Sequence, residues 1–145
     1  MRLTTSPAVG IALLLLAECA VAQSKLGELL DAGASKLSAD EFRQELVQHL
    51  IVGPTAAGAN LELMYVSDGR IVGKGTDPLF TGIPYSAVGG EWKIDDSGKV
   101  CTSMRIGNVT LPSRCQSWFK YKDQYFLSDS DSDRQARVLV RTIKQ

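Results

Sequence analysis

The sequence predicts a mainly β protein, an antiparallel meander that curls into a small barrel or a two-layer sandwich, with one short N-terminal helix and a cleaved signal peptide. Short β-prone runs recur at hairpin spacing, a helix-capping motif precedes them, and the chain opens with a basic and then an apolar segment. The 145 residues, 44% of them hydrophobic, suit one globular domain.

Residues 1–22 have the features of a secretory signal peptide. Met1-Arg2 supplies a basic start, residues 9–17 are apolar, and the small residues 20–22 predict cleavage before Gln23. The apolar run has about half the length of a membrane-spanning helix, so we expect no stable span after cleavage. The sequence therefore predicts a periplasmic or secreted protein.

A lipoprotein is the alternative interpretation of the same segment. It would carry its lipid on Cys19. Glu18 argues against it, because the residue before such a cysteine is normally small.

We expect a single domain over residues 38–145, joined to the signal peptide by a flexible segment over residues 23–37. Residues 23–36 of that segment suit either a frayed helical turn or a tether. Ser38 to Glu41 form a capping box, which predicts the start of the helix. Apolar residues at helical spacing then predict that it ends before Gly53. These residues are Phe42, Leu46, Val47 and Leu50.

Seven short β-prone runs follow the helix, and several are separated by turn pairs such as Asp68-Gly69. The runs are Glu62–Val66, Arg70–Lys74, Glu91–Asp95, Lys99–Met104, Cys115–Tyr121, Gln124–Ser128 and Ala136–Ile143. An eighth strand forms if His49–Val52 also pairs.

The stretch from Gly75 to Gly90 combines glycines, prolines and apolar residues with Tyr85. One interpretation is a long functional loop at the rim of the domain. The other is a distorted pair of edge strands in which Pro78 and Pro84 block further pairing. The sequence favours neither.

Two cysteines, Cys101 and Cys115, remain once the signal peptide is removed. In an oxidising compartment they most simply form one disulfide, which closes a loop of about 15 residues and stabilises the fold by about 3 kcal/mol. Two free redox thiols are the alternative. The C-x-x-C spacing typical of such thiols is absent.

Several short motifs resemble a family of small exported proteobacterial proteins, the domain-of-unknown-function family nine-nine-five. They are Gly90-Glu91-Trp92, Gly98-Lys99-Val100-Cys101, Cys115-Gln116-Ser117-Trp118 and Asp123-Gln124-Tyr125. The resemblance covers residues 38–127. It implies a small lipocalin-like or calycin-like barrel with one disulfide, and it brings no activity with it.

Aromatic residues on both faces of the run over residues 115–121 are the candidate binding residues. Trp118 shares one face with Lys120, whereas Phe119 and Tyr121 lie on the other. An inward Lys120 would need a partner, which favours an assignment with Trp118 outside as a binding anchor. Ordinary packing inside the barrel is the alternative for Trp118 and Tyr125. Trp92 is assigned to the core. The residues assigned to ligand or partner binding are Trp118, Tyr121, Tyr125 and Tyr85.

Charge and composition exclude several function classes. A net charge of zero and the lack of basic runs disfavour nucleic-acid binding. The single histidine, His49, has no identifiable catalytic partner, so we expect no enzyme and no cofactor. Residues 129–133 alternate Asp and Ser like a calcium loop. The required Gly and Glu are replaced by Arg134 and Val140, so we expect no metal site.

We therefore expect a non-enzymatic binding domain that acts as a monomer. Its first candidate role is to recognise a protein or envelope component through the outer face near Trp118 and the 75–90 stretch, and enzyme inhibition is one form of that role. The alternative is a lipocalin-like carrier that holds a small apolar ligand inside the barrel. A filled interior favours the first role, and an empty, dry interior favours the second.

Overall fold

The computed structural model describes residues 24–56, 58–76 and 86–145, in which the chain forms two short helices and ten strands. The predicted signal peptide over residues 1–22 and the candidate residue Tyr85 lie outside the described residues. The elements are α1 (Leu26–Asp31), β1 (Ser35–Lys36), α2 (Ala39–Glu45), β2 (Leu50–Pro54), β3 (Asn60–Tyr65), β4 (Arg70–Gly75), β5 (Ser86–Ile94), β6 (Val100–Ile106), β7 (Val109–Thr110), β8 (Arg114–Tyr121), β9 (Gln124–Ser128) and β10 (Val138–Ile143).

Eight strands form a closed antiparallel barrel, β2 to β6 and β8 to β10. Neighbours in this series pair with each other, and the last strand, β10, pairs back with β2. Closure removes the unpaired edges of the sheet. The predicted meander is thus confirmed as a barrel, and β2 is the eighth strand expected if residues 49–52 pair.

The predicted hairpin turns are present, and β5 is longer than predicted. Gly69 and Gly98 have φ of +93° and +80°, which glycine adopts without the steric cost that a Cβ brings. Strand β5 begins at Ser86, so part of the 75–90 stretch belongs to the barrel wall. It lies within the closed sheet, between β4 and β6, and not at an edge.

Two inward-facing glycines let the barrel wall curve sharply. A Cβ on Gly73 would clash with the carbonyl oxygen of Glu62, and one on Gly90 with that of Ser103. The backbones of neighbouring strands therefore approach more closely at these two positions than any other residue allows.

Alternation along the strands defines the interior of the barrel. The fully inward positions of the central strands are apolar, and together with the residues of α2 they form the main core. Its buried members are Leu37, Phe42, Leu46, Ile51, Ala59, Leu61, Leu63, Tyr65, Ile71, Val88, Val100, Ile106, Trp118, Tyr125, Leu127 and Leu139.

Helix α2 begins as predicted and ends earlier. The Ser38 hydroxyl accepts a hydrogen bond from the Glu41 N–H at 3.2 Å, and the Glu41 carboxylate accepts one from the Ser38 N–H at 2.7 Å. This confirms the capping box. The helix ends at Glu45 instead of continuing to Leu50, because Leu50 pairs with Met64 as the first residue of β2.

In the described part of the 23–37 segment the structure has a helix and a short strand, so of the two interpretations it shows the helical turn and not the tether. Helix α1 packs on the outside of the barrel, where Leu26 and Leu29 are fully buried against Phe119 and Phe126. Strand β1 then pairs with β8. Leucines three residues apart lie on one helix face, and that face covers aromatic side chains that β8 and β9 turn outward.

A disulfide joins Cys101 of β6 to Cys115 of β8, as predicted. The two residues are direct cross-strand partners with Cα atoms 3.8 Å apart. Strands β6 and β8 pair only around this position, so the bridge lies where β7 interrupts the regular hairpin series. The disulfide therefore links β6 and β8 covalently where their pairing is short.

We predict that replacing both cysteines, Cys101→Ala with Cys115→Ala, lowers the free energy of unfolding by about 3 kcal/mol, because the unfolded chain regains the freedom of a loop with a sequence separation of 14. Urea unfolding measures the change. The wild-type protein kept reduced should lose a similar amount, and an unchanged stability in both samples contradicts the prediction.

Candidate functional site

Four aromatic side chains fill the end of the barrel that α2 covers. Phe42 of α2 lies 5.4 Å from Tyr65, 5.6 Å from Trp92 and 5.4 Å from Trp118, measured between ring centroids. The Trp92 indole N–H donates to the Val66 carbonyl oxygen at 2.8 Å. Burial raises the pKa of the Tyr65 hydroxyl to about 12. The four rings pack together at this end, and Trp92, although only partly buried, packs against the main core as predicted.

An ionic cluster fixes α2 to the barrel. The Glu45 carboxylate accepts hydrogen bonds from the Lys120 ammonium and from the Tyr125 hydroxyl, each at 2.7 Å. These bonds, first from Lys120 and then from Tyr125, lower the pKa of Glu45. The bond to Glu45 raises the pKa of Lys120. Burial, and then the bond to Glu45, raises the pKa of Tyr125.

The prediction that Trp118 stands exposed on the outer face is wrong. Trp118 is 3% exposed and points into the barrel with Lys120, while Phe119 points outward beneath α1. The inward Lys120 has the charged partner that such a position requires, because its ammonium pairs with the Glu45 carboxylate. Trp118 therefore cannot serve as an exposed anchor.

The other aromatic candidates are not brought together. Tyr125 is 7% exposed and belongs to the main core through its ring. Tyr121 is half-buried on the outside, packed against the α1 cluster with the Lys122 ammonium 5.4 Å from its ring centroid. His49 is exposed in the turn between α2 and β2. These positions do not form one binding site.

A partly open cavity of about 210 Å³ lies at the end of the barrel away from the aromatic cluster, and Ala56, Pro112 and Arg114 of its lining are exposed. Leu61 lines it and Tyr65 does not, and these residues are four apart on β3, so cavity and cluster lie toward opposite ends of that strand. Its described lining is mostly apolar with a few polar groups. The lining residues are Thr55, Ala56, Leu61, Thr102, Met104, Leu111, Pro112, Arg114, Gln116, Leu139 and Arg141.

Arg141 is the most unusual residue in this lining. It is 5% exposed, and its Nη1 donates to the carbonyl oxygens of Pro54 at 2.6 Å and Val140 at 2.8 Å. Burial lowers the pKa of its guanidinium. A Cβ on Gly53 would clash with the Arg141 side chain, so this glycine makes the space in which the side chain lies.

A second concave region lies beside the disulfide on the β4–β5 and β6–β8 wall. It is a groove of about 660 Å³, and its described lining carries charges of both signs. The charged lining residues are Asp68, Arg70, Glu91, Lys93 and Arg114. Among the described residues, the only large hydrophobic side chain that is exposed is Val72.

Metal binding finds little support in the described part of the chain. The one cluster of suitable side chains there is Asp95 with Cys101 and Cys115. Both sulfurs belong to the disulfide, so they cannot act as thiolate ligands. In the acidic stretch, Asp131 pairs with Lys36 at 2.6 Å.

Comparison with family models, curated proteins and solved structures finds no match to this chain. The resemblance to family nine-nine-five therefore stays a prediction. Within the described ranges, no helix has the length and hydropathy needed to span a membrane.

Sequence reasoning missed the cavity and Arg141, although a signal for Arg141 is present. In the last strand, Leu139 and Ile143 share a face, and Arg141 stands between them on that same face. A cation at an inward position of an otherwise apolar strand face indicates a buried charge that needs hydrogen-bond acceptors or an opposite charge inside the fold. The other lining residues are ordinary barrel positions and carry no such signal.

We predict that Trp118→Ala lowers the free energy of unfolding by about 3–5 kcal/mol, because it removes a ring that packs on Phe42 and Tyr65. Val72→Ala on the exposed surface is the control and should change stability by about 0.5 kcal/mol or less. Urea unfolding compares the two. If both substitutions change the free energy of unfolding by a similarly small amount, the buried position of Trp118 is contradicted.

The ionic cluster of Glu45, Lys120 and Tyr125 predicts that the free energy of unfolding depends on pH, and that Glu45→Gln removes this dependence. Since the folded pKa of Glu45 is lowered, its stabilisation is present above its ordinary value of 4.5 and is lost as the pH falls through the folded pKa. Since the folded pKa of Lys120 is raised, its stabilisation is lost only as the pH rises above the ordinary value of 10.5.

Unfolding free energies between about pH 3 and pH 7 test the acid limb. The difference between wild type and Glu45→Gln should be largest near neutral pH and shrink toward pH 3. Glu91→Gln, at an exposed glutamate of β5, is the matched control. A difference that does not vary with pH contradicts the role of the Glu45 charge.

Proposed function

We propose that this protein is an exported carrier that binds a small, largely apolar molecule in the cavity of its barrel. The observation that carries the proposal is the cavity of about 210 Å³ at the end of the barrel away from the aromatic cluster. Apolar walls with a few convergent polar groups are typical of small-molecule sites.

The size of the cavity limits the ligand. A volume of 210 Å³ equals that of about seven water molecules at about 30 Å³ each. That space suits one short chain or a small ring. The apolar contacts come from Leu61, Met104, Leu111 and Leu139. The polar groups come from Thr55, Thr102, Arg114, Gln116 and Arg141.

Export is supported by two features of the chain. Residues 1–22 have the composition of a signal peptide. The Cys101–Cys115 disulfide suits an oxidising compartment such as the periplasm or the cell exterior.

The described lining also supports a binding role over catalysis. It contains no His, Cys, Asp or Glu, which are the residues that most often act as general base or nucleophile. A carrier needs none of these groups.

A module that recognises a protein or envelope component is the second candidate, and the groove of about 660 Å³ beside the disulfide favours it. The described surface offers it little apolar area, because Trp118 and Tyr125 are buried and only Val72 is an exposed large hydrophobic residue. Protein interfaces usually depend on such buried apolar anchors. We therefore place this candidate second.

We predict that hexan-1-ol binds in the cavity and that Leu111→Trp weakens this binding at least tenfold, because the larger side chain fills space at the lining. Nitrogen-15 NMR titration of the purified, oxidised protein measures both. In the wild type, saturating shifts should centre on the amides of Leu61, Met104 and Leu139.

The matched control is Val72→Trp, which adds a tryptophan to the exposed surface and should leave the affinity unchanged. Circular dichroism confirms that both variants are folded. Absence of saturable shifts in the wild type, or shifts confined to the groove around Lys93, would refute the carrier proposal.

A further inference from the structure

Arg141 lines the cavity, and part of its guanidinium has no acceptor in the described part of the chain. Its Nη1 is used by the carbonyl oxygens of Pro54 and Val140. Its Nε and Nη2 donate to none of the described residues, although the side chain is only 5% exposed. One edge of the guanidinium of this lining residue is therefore without an acceptor among the described residues.

The positive charge of Arg141 also lacks a counter-ion within the described lining, which contains no carboxylate. Tyr65 is close enough to influence Arg141, but its pKa of about 12 keeps its hydroxyl neutral near pH 7. The other cation of the lining, Arg114, has its own acidic neighbour, Asp129, at 3.9 Å. Burying a cation without an opposite charge is costly, so the site is suited to an anion.

We infer that the ligand is a short-chain aliphatic carboxylate whose carboxylate group binds Arg141. This inference rests on the proposed carrier function and names the ligand class. The Nε and Nη2 edge of a guanidinium donates two parallel hydrogen bonds, which match the two oxygens of a carboxylate. The aliphatic chain lies against Leu61, Met104 and Leu139.

A purely structural role accounts for only part of this arrangement. The bond from Nη1 to the Pro54 carbonyl joins β10 to β2, and it explains why the side chain crosses Gly53. It does not use the Nε and Nη2 edge. A neutral donor would serve the same purpose at a lower desolvation cost.

The test compares three probes of similar chain length on the wild-type protein: hexanoate, hexan-1-ol and hexylammonium. We expect hexanoate to bind at least tenfold more tightly than hexan-1-ol, and hexylammonium to bind most weakly, because only hexanoate offsets the charge of Arg141. Nitrogen-15 NMR titration gives the affinities. The Arg141 Nε–H resonance should shift with hexanoate and stay in place with hexan-1-ol.

Substitution assigns the preference to one residue. Arg141→Met should remove the advantage of hexanoate while leaving the binding of hexan-1-ol within about threefold, since the apolar wall is kept. Arg114→Met is the matched control at the second cation of the lining, and it should retain most of the preference. If Arg141→Met does not fold, the Nε–H resonance of the wild type decides the assignment.

The outcomes separate the two proposals. If no probe binds, the carrier function fails, and the ligand class fails with it. If hexan-1-ol binds as tightly as hexanoate, the carrier function stands and the carboxylate inference is overturned. If the preference for hexanoate survives Arg141→Met, or disappears only with Arg114→Met, the assignment to Arg141 is overturned.

Discussion

The packing of α2 into one end of the barrel is the constraint on which the rest of the structure depends. Phe42 lies between Tyr65, Trp92 and Trp118, and without it these three rings would surround an empty space. The position of the helix is fixed at its C-terminal end, where Glu45 accepts hydrogen bonds from Lys120 and Tyr125. A short helix with few turns gains little stability of its own, so these tertiary contacts hold it in place.

Because α2 fills one half of the interior, packing and binding are separated along the barrel. In the aromatic half the rings lie in direct contact, and deletions there create cavities that cost stability. The other half keeps a cavity, with Arg141 in its wall. Gly53 contributes by having no side chain, which lets the long arginine side chain cross β2. On the proposed carrier function, a ligand would bind without displacing the contacts that hold the fold together.

Local signals were sufficient to predict most barrel strands and the start of α2, whereas α1, β1 and the end of α2 depend on contacts distant in the chain. Non-local contacts also decided which faces are buried. The capping box at Ser38 and the glycine turns depend on neighbouring residues, so the sequence predicts them correctly. The face of β8 that points inward depends on Glu45 and on α1, which are both distant in the chain. The same is true of the cavity, because its lining comes from four strands and two connecting segments, and only Arg141 leaves a trace in the strand pattern.

The cavity lies between the two places where the ladder of the barrel is shortest. Strand β10 pairs with β2 only at Thr142 and Ile143, and β6 pairs with β8 only around Cys101. A further link supports each of these short pairings. The side-chain hydrogen bond from Arg141 to the Pro54 carbonyl oxygen joins β10 to β2, and the disulfide joins β6 to β8. An anion bound at Arg141 would fix the guanidinium that joins β10 to β2. Since a ligand that binds only the folded state stabilises it, occupancy of the cavity and closure of the barrel are thermodynamically coupled.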